Sequence, residues 1–375
     1  MAQIRAFNNI DQILNITEWN TLASKSQTPY YFKSFIEQFI NSAIKSKQKP
    51  MLIVYYSEHK TVGIAPVAIS SEKGLLRTAS FLTGPDFDPD FVVEEKYREQ
   101  FIHETIDFLF KKIGCTLIDF VMPSETKNLA VLEGMSKFGR GPYHLIRPSS
   151  FHSVVCVEGT WAEFERRRGR NYRKIFRSIE KRMSLNGGWR IEFVSNQYSI
   201  TEVEQYLLEI EKESWKQTYR LQRGIEKDDG LIELFTAATG TQLTTTGFQW
   251  EVAFLEVNGK KIAYSFWFEY KDTAFICKTS FDDRYKKYYP GMYINNAVIR
   301  EVFKNPAIKQ IDLMTDLPFH DRWAPKKVPR TRILISKSPI PIAIAKTTQN
   351  QYVMQIRRRI SKVIKVNLPY LPLLM

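Results

Sequence analysis

Residues 251–281 have the sequence EVAFLEVNGKKIAYSFWFEYKDTAFICKTSF, in which short polar turns separate three apolar runs. The runs cover residues 251–257, 261–270 and 273–281. Each has the length and the β-branched and aromatic content of a buried strand. Asn258-Gly259 joins the first two runs, and this dipeptide favours the type I′ turn of a tight hairpin. The segment therefore predicts a hairpin followed by a third strand.

The same order of elements occurs twice along the chain. After the three strands, a polar loop leads to a predicted helix at 292–304 and a strand at 309–314. The first half also contains a predicted hairpin, strand, helix and strand, at residues 51–57, 61–69, 75–84, 101–111 and 115–122. We predict a mixed α/β fold with two related tandem domains, 1–150 and 151–335, followed by a basic tail at 336–375.

The excess positive charge lies near the C-terminus. The chain has 375 residues, with 54 Lys and Arg against 40 Asp and Glu, and a net charge of +14. Residues 322–375 contain twelve basic residues and no acidic residue. Residues 1–321 therefore have 42 basic and 40 acidic residues and a net charge of +2. A basic amphipathic pattern with an apolar end favours contact of residues 350–375 with an anionic membrane surface. Packing of this helix on its own domain or on a partner chain explains the same pattern.

The composition excludes several classes of protein. Hydrophobic residues make up 43% of the chain, which excludes a disordered protein. No apolar run reaches the roughly 18 residues of a membrane-spanning helix, and the N-terminus lacks the apolar core of a signal peptide. Cys115, Cys156 and Cys277 are far apart and predict neither a disulfide framework nor a zinc site. We therefore expect a cytoplasmic protein, or one at the inner face of the membrane.

The loop and helix start after residue 281 form a candidate anion site. Free backbone N–H groups and the positive end of the helix dipole favour phosphate or pyrophosphate, and two lysines upstream can pair with further phosphates. An ordinary Pro-Gly turn explains the same sequence. The candidate residues are Lys286, Lys287, Pro290, Gly291, Met292 and Tyr293.

Two further groups of polar residues are candidates for chemistry. Asp312, Asp316 and His320 lie in or after the strand at 309–314, where acids and histidines are candidates for acid–base work. Ordinary structural roles explain the same residues, since Asp316 can cap a turn, Asp312 can bond to backbone amides and His320 can be solvated. The predicted helix at 161–184 has a strongly basic face, which either is solvated or grips an anionic ligand.

Three of these segments resemble the CelD/BcsL-like acetyltransferases, a branch of the GNAT superfamily associated with bacterial polysaccharide and cellulose biosynthesis. They are RNYRKIFRSIEKRMSLNGGWRIEF (170–193), FDDRYKKYYPG (281–291) and IDLMTDLPFHDRW (311–323). The resemblance extends over residues 15–325. It departs from the family where Asp316 stands near a Gly position and His320-Asp321 replaces Tyr-Lys.

The resemblance implies two tandem GNAT-like domains, the second of which binds acetyl-CoA or another acyl-CoA without a metal. Its pyrophosphate would bind at the loop and helix start described above. An amine or hydroxyl would attack the thioester directly, and backbone N–H groups near 277–280 would stabilise the oxyanion. The candidate bases are Asp282, Asp312 and His320. The candidate substrate-binding residues are Arg170, Arg173, Trp215, Tyr285 and Trp323. We interpret Cys277 as a core strand residue.

Three functions stay open from the sequence. The first is a CoA-dependent N- or O-acyltransferase, most simply an acetyltransferase, acting on a sugar, a sugar nucleotide or a lipid-linked glycan precursor. The second is an aminoacyl-tRNA-dependent transferase of the Fem type, which also has tandem GNAT-like domains. The third is a non-catalytic, membrane-associated GNAT-like protein. The charge of only +2 before residue 322 argues against nucleic acid as a partner, apart from tRNA under the second alternative.

Overall fold

The computed structural model describes residues 3–13, 15–72, 76–84, 86–135, 143–184, 188–195, 199–214, 235–239 and 248–347. Its strands are β1 (Gln3–Phe7), β2 (Lys49–Ser57), β3 (Lys60–Glu72), β4 (Leu76–Phe81), β5 (Val92–Val93), β6 (Leu117–Pro123), β7 (Tyr143–Cys156), β8 (Trp189–Val194), β9 (Phe248–Val257), β10 (Lys260–Tyr270), β11 (Thr273–Phe281), β12 (Gln310–Asp312) and β13 (Lys326–Ser336). Its principal helices are α1 (Ile16–Ala23), α2 (Lys33–Lys45), α3 (Arg98–Lys111), α4 (Lys127–Met135), α5 (Trp161–Ser184), α6 (Ile200–Lys212), α7 (Pro290–Val302) and α8 (Pro339–Thr347).

The thirteen described strands form one mixed sheet. Their order is β1-β2-β3-β4-β6-β13-β7-β12-β11-β10-β9-β8, and β5 pairs with β3 beside this path. Two pairs are parallel, β4 with β6 and β11 with β12, and the other pairs are antiparallel. The sheet and its helices confirm the predicted α/β class. Within the described residues, no helix is both long and apolar enough to cross a membrane.

The predicted repetition of elements is confirmed. A first run consists of β2, β3, β4, α3 and β6, and a second run of β9, β10, β11, α7 and β12. Each run ends in its parallel strand pair, in which residues 78–79 face 117–118 and residues 273–275 face 310–312. Both hairpins close through two residues with positive φ, Asn258 and Gly259 in the second run. This is the backbone that a type I′ turn requires.

Two long strands join the runs and were not predicted. The strand at 309–314 is the last one that we predict from the sequence, but a further strand, β13, follows it and lies between β6 and β7. β13 is rich in basic residues and contains Pro329, so its sequence does not look like an interior strand. Three of its charges, on Lys327, Arg330 and Arg332, are paired instead, as for Arg332 with Asp119 of β6. β7 runs past residue 150, and the predicted domain boundaries at 150 and 335 stay predictions.

Three large apolar cores hold most of the helices against the sheet, and a small fourth core packs α8 on β6 and β13. One core packs α3 and α4 on the first run, and a second packs α5 and α7 on the second run. The third core lies on the opposite face and is shared, since Phe35 and Phe39 of α2 pack with Phe248 and Phe268 of the second run. Burial of this aromatic surface fixes residues from the first run against the face of the second run.

Candidate active site

The paired strands β11 and β12 separate after a short parallel contact. Their pairing ends at Phe275 and Asp312, whereas β11 continues to Phe281. Beyond Asp312 the chain follows β7 instead, because Leu313 N–H donates to the carbonyl of Ser153 at 3.0 Å. We call the resulting separation the C-terminal gap. Among the described residues, β12 pairs with none of the backbone groups of β11 beyond Phe275.

A tight turn fixes the end of β12 at this gap. Met314 has a φ of 61°, and Thr315 N–H donates to the carbonyl of Leu313 at 2.6 Å. A positive φ at a residue with a side chain is unfavourable and persists only where its surroundings enforce it. The same turn points Met314 N–H at Asp312 Oδ1, at 2.7 Å. The backbone therefore holds one oxygen of the Asp312 carboxylate in place.

The other oxygen of Asp312 belongs to a buried cluster of charged groups. His152 Nδ1 of β7 lies 3.1 Å from Asp312 Oδ2 and 3.1 Å from Asp88 Oδ2. Arg330 Nε of β13 lies 2.6 Å from Asp88 Oδ1. We call Asp88, His152, Asp312 and Arg330 the junction cluster, because Asp88 lies in the loop after β4 of the first run and Asp312 ends the second run. Two carboxylates face two cationic or protonatable groups, so the cluster satisfies its own charge.

The electrostatics of the junction cluster favour a protonated imidazole. Burial lowers the pKa of His152, but the hydrogen bond and charge of Asp312, with the charge of Asp88, outweigh burial and raise it above its ordinary value. Burial raises the pKa of Asp88, against the opposing charges of His152 and Arg330. His152 therefore changes charge above the pH at which a solvated histidine does.

Two weak acids lie near the cluster and remain neutral. Burial raises the pKa of Tyr30 and of Cys277 well above their ordinary values, and the negative charge of Asp312 raises both further. The Tyr30 hydroxyl lies 3.7 Å from the sulfur of Met314. Cys277 packs against the shared core, in keeping with its interpretation as a core residue. A thiol of this kind is a poor nucleophile because little thiolate forms.

The predicted anion site has an uncapped helix start. α7 begins at Pro290 after Tyr289, which has a φ of 54°, and no side chain caps its N-terminus. Lys286 and Lys287 are exposed, and Lys286 Nζ lies 3.2 Å from Asp283. Free N–H groups at such a start, next to two exposed cations, suit an anion.

The remaining residues of the anion site mainly pack. Gly291 is buried, and a Cβ at this position would lie 3.0 Å from Cδ1 of Phe281. Its missing side chain lets α7 approach β11 closely. Tyr293 is buried and donates from its hydroxyl to Glu180 of α5 at 3.2 Å, whereas Met292 is half-buried. A bulky residue at Gly291 would therefore disturb the packing as well as any anion site.

The three predicted bases lie at three separate places. Asp312 is in the junction cluster. Asp282 is buried, and although burial raises its pKa, bonds from Arg284 outweigh this and lower it below the ordinary value. His320 is also buried, and burial lowers its pKa to about 4. Its Nδ1 lies 3.1 Å from the carbonyl oxygen of Thr315.

His320 is separated from the junction cluster by β7. Asp316, near His320, bonds to the hydroxyl of Ser153 at 2.9 Å, and Ser153 and His152 are neighbours that project to opposite faces of β7. Asp316 also pairs with Lys327, and the hydrogen bond from Lys327 lowers its pKa. The structure therefore does not bring Asp282 or His320 to Asp312.

The predicted substrate-binding residues are dispersed as well. Arg170 is exposed and Arg173 is half-buried, just after a bend of α5 at Gly169, where φ is 83°. Tyr285 is half-buried against the second core. Trp323 is fully buried, and its indole donates to Asn296 Oδ1 at 3.1 Å. Trp215 lies outside the described residues.

Sequence reasoning missed His152, Asp88 and Arg330. Each stands in a segment without a motif, and the partners in the His152–Asp312 contact are 160 residues apart. One signal was available, because the strand sequence LIDF (117–120) resembles QIDL (310–313). This repeat places two aspartates at equivalent positions of the two runs.

The equivalent separation in the first run is filled by aromatic rings. Beyond Ala79 and Ile118, where the pairing of β4 with β6 ends, the rings of Phe81 and Phe120 stack at 4.1 Å between centroids. Ile276 and Leu313 occupy the equivalent positions in the second run. These two side chains are aliphatic and form no such stack, although both are buried in the second core, and we take the C-terminal gap as the candidate site for a ligand.

Comparison with known proteins places this site in an acyltransferase-like fold. Residues 170–321 match the family model described as an acetyltransferase (GNAT) domain. The search of curated proteins finds no match. Among solved structures, FemX has 8% identity, covers 91% of this chain and 99% of its own, and gives a TM-score of 0.59.

Two other structures are similar over nearly the whole chain. The C-terminal domain of a proposed lysylphosphatidylglycerol synthetase from Agrobacterium fabrum has 12% identity and a TM-score of 0.53, with 88% of this chain and 94% of its own covered. L-PGS from Bacillus licheniformis has 12% identity and a TM-score of 0.51, with the same shares covered. At these identities the similarity establishes the fold alone. The chain therefore has a GNAT acyltransferase-like fold, with a GNAT domain model matched over residues 170–321, which include its second run.

Proposed function

We propose that this chain is an acyltransferase that moves an acyl group from acyl-CoA to an amine or hydroxyl. The observation that supports the proposal most is the C-terminal gap. It lies within the matched GNAT domain, and the equivalent gap of the first run is filled by Phe81 and Phe120. The acceptor that we propose is a sugar, a sugar nucleotide or a lipid-linked glycan precursor, as in the polysaccharide-related family that the sequence resembles.

The residues around the gap suit thioester chemistry. Acyl-CoA supplies an activated carbonyl carbon when bound. The edge of β11 beyond Phe275 has backbone N–H groups that β12 does not use, and such groups stabilise an oxyanion. The buried surroundings exclude water and hold the reacting groups together, which is the main source of acceleration in a direct transfer.

The start of α7 suits the phosphates of the same ligand. Its N-terminus has no side-chain cap, and the exposed Lys286 and Lys287 precede it by a few residues. The helix dipole and the two lysines together favour an anion. We propose that this helix start binds the pyrophosphate of CoA while the gap takes the acyl end.

The first test is calorimetric titration with acetyl-CoA. We expect the wild type to bind, and the double variant Lys286→Gln/Lys287→Gln to bind about 3- to 30-fold more weakly, because two exposed ion pairs of roughly 0.3–1 kcal/mol each are lost. The matched control is Lys111→Gln/Lys112→Gln, a second exposed lysine pair at the end of α3, which should bind as the wild type does. Absence of binding by the wild type, or equal weakening in both variants, would contradict the proposal.

A second candidate is transfer from aminoacyl-tRNA. The fold similarity to FemX, to the lysylphosphatidylglycerol synthetase domain and to L-PGS supports it, since each of these structures covers 88–91% of this chain. The same titration distinguishes the two donors: salt-dependent binding of tRNA without binding of acetyl-CoA would support the second candidate. Binding of neither would support the non-catalytic alternative.

The partner that we propose for residues 350–375 is an anionic membrane surface. The proposal depends on the basic amphipathic pattern of the sequence, because residues 348–375 lie outside the described part of the chain. A protein held at the inner face of the membrane by this segment would meet a lipid-linked acceptor directly.

A further inference from the structure

The two runs place the same aspartate in two different pairs. Asp119 of β6 and Asp312 of β12 both follow the isoleucine of an Ile-Asp repeat. Asp119 bonds to Arg332 Nε at 2.7 Å, and Asp312 lies 3.1 Å from His152 Nδ1. The two cationic partners occupy equivalent positions in the sheet. Leu334 faces Asp119 and Val154 faces Asp312 in their strand pairs. Arg332 and His152 each lie two residues before the residue that faces the aspartate.

The exchange of arginine for histidine changes what the pair can do. An arginine stays charged at every physiological pH and has no acceptor, so the Asp119–Arg332 pair can only hold strands together. An imidazole accepts and releases a proton near neutral pH. The protonatable partner pairs with the aspartate of the run that has the C-terminal gap, and the inert partner pairs with the aspartate of the run whose gap is filled by Phe81 and Phe120.

The bonds of His152 leave one ring nitrogen for chemistry. Two carboxylate oxygens, from Asp88 and Asp312, lie 3.1 Å from Nδ1, so Nδ1 donates and the neutral ring has its acceptor at Nε2. His152 is 1% exposed, and among the described residues its Nε2 has no hydrogen-bond partner. A buried nitrogen without a partner is unfavourable, and a hydrogen bond from a bound N–H or O–H would remove that cost.

We propose that His152 is the general base of the transfer, with Asp312 and Asp88 as its positioning residues. This assignment depends on the acyltransferase function proposed above. Nε2 accepts the proton of the acceptor amine or hydroxyl while its nitrogen or oxygen bonds to the thioester carbon. The tetrahedral intermediate then expels the CoA sulfur, which takes the proton from Nε2. The acyl group passes from sulfur to the acceptor, and the imidazole returns neutral.

The groups that face His152 determine its pH dependence. Asp312 from β12 and Asp88 from the loop after β4 favour the charged ring, whereas Arg330 from β13 opposes it and Tyr30 is neutral. The neutral ring is the active form, so the rate should fall as the pH drops through the pKa of His152. Removal of the Asp88 charge lowers the pKa of His152, so the fall in rate should occur at a lower pH.

The decisive variant is His152→Asn, because the Asn amide can donate to both carboxylates in place of Nδ1 but has nothing at the position of Nε2. Release of free thiol from acetyl-CoA is measured with glucosamine or water as the acceptor. We expect kcat/KM to fall about 10²- to 10⁴-fold, the usual contribution of a general base. Acetyl-CoA affinity should stay within about threefold of the wild type, and added imidazole should restore part of the rate. His103→Asn, at an exposed histidine of α3, should have wild-type activity.

A second measurement separates failure of this assignment from failure of the proposed function. Nitrogen-15 NMR of the histidines reports the tautomer and titration of His152 without any substrate. We expect the hydrogen on Nδ1, a pKa above the ordinary value, and a lower pKa in Asp88→Asn. A hydrogen on Nε2 in the neutral form, or unchanged kcat/KM in His152→Asn, would overturn the assignment even if acetyl-CoA binds. A wild type that binds no acetyl-CoA would instead overturn the proposed function.

Discussion

Replacement of Asp119 by Ala is expected to lower the free energy of unfolding by about 3 kcal/mol. Asp119 and Arg332 are each 14% exposed and are bonded through two contacts between β6 and β13. Removal of one partner leaves the guanidinium of Arg332 largely buried without its counter-charge, which costs roughly 3–5 kcal/mol in a fully buried pair. The partial exposure places the estimate at the lower end of that range.

A neighbouring arginine adds to this cost. Burial lowers the pKa of Arg147, and the charge of Arg332 lowers it further while Asp119 opposes the effect. Without Asp119, the two guanidinium groups repel each other across β7 and β13. Urea unfolding measures the change. The control is Asp107→Ala, which removes an exposed pair with Lys111 and should change stability by less than about 0.5 kcal/mol. Equal effects of the two variants would show that the Asp119 pair adds nothing.

Replacement of Trp323 by Ala should destabilise the protein by about 3–5 kcal/mol. The side chain is fully buried in the core of the second run, and its removal leaves a cavity under the loop that follows β12. The indole N–H donates to Asn296 Oδ1, which also accepts from the hydroxyl of Tyr172. Loss of the ring therefore removes both packing and one bond of this buried network.

A conservative variant separates these two contributions. Trp323→Phe keeps an aromatic ring and loses the indole N–H, and we expect a cost of about 1–2 kcal/mol, since Tyr172 still bonds to Asn296. Thermal and urea unfolding of both variants give the comparison. If Trp323→Ala has the free energy of unfolding of the wild type and a raised KM, the residue contacts substrate and does not support the core.

Local patterns in the sequence were sufficient for the regular parts of the fold. Asn258-Gly259 specified its hairpin because both residues readily adopt positive φ. The apolar periodicity of α3 and α7 and the apolar runs of β2 and β9–β11 located these elements within a few residues. The N-terminal helices α1 and α2 are separate elements, with Pro29 between them. Proline cannot continue a helix of this kind.

The long-range parts of the structure were not accessible in the same way. β13 was hidden by its basic composition, and its place between β6 and β7 depends on charge pairs such as Arg332 with Asp119. The junction cluster depends on strand order as well, because Asp88, His152 and Asp312 meet only when β7 pairs with β12. Asp312 was found from the sequence, but its partner could be identified only from the sheet.

The most direct test of the C-terminal gap is to fill it as the first run fills its own. The double variant Ile276→Phe/Leu313→Phe copies the Phe81–Phe120 stack, which this fold already accommodates. Titration with acetyl-CoA is compared among the wild type, this variant and Ile44→Phe, a control at an exposed position of α2. We predict that a folded double variant loses binding while the wild type and the control bind alike. Wild-type affinity in the folded double variant would contradict the account, because the ligand would then bind somewhere else.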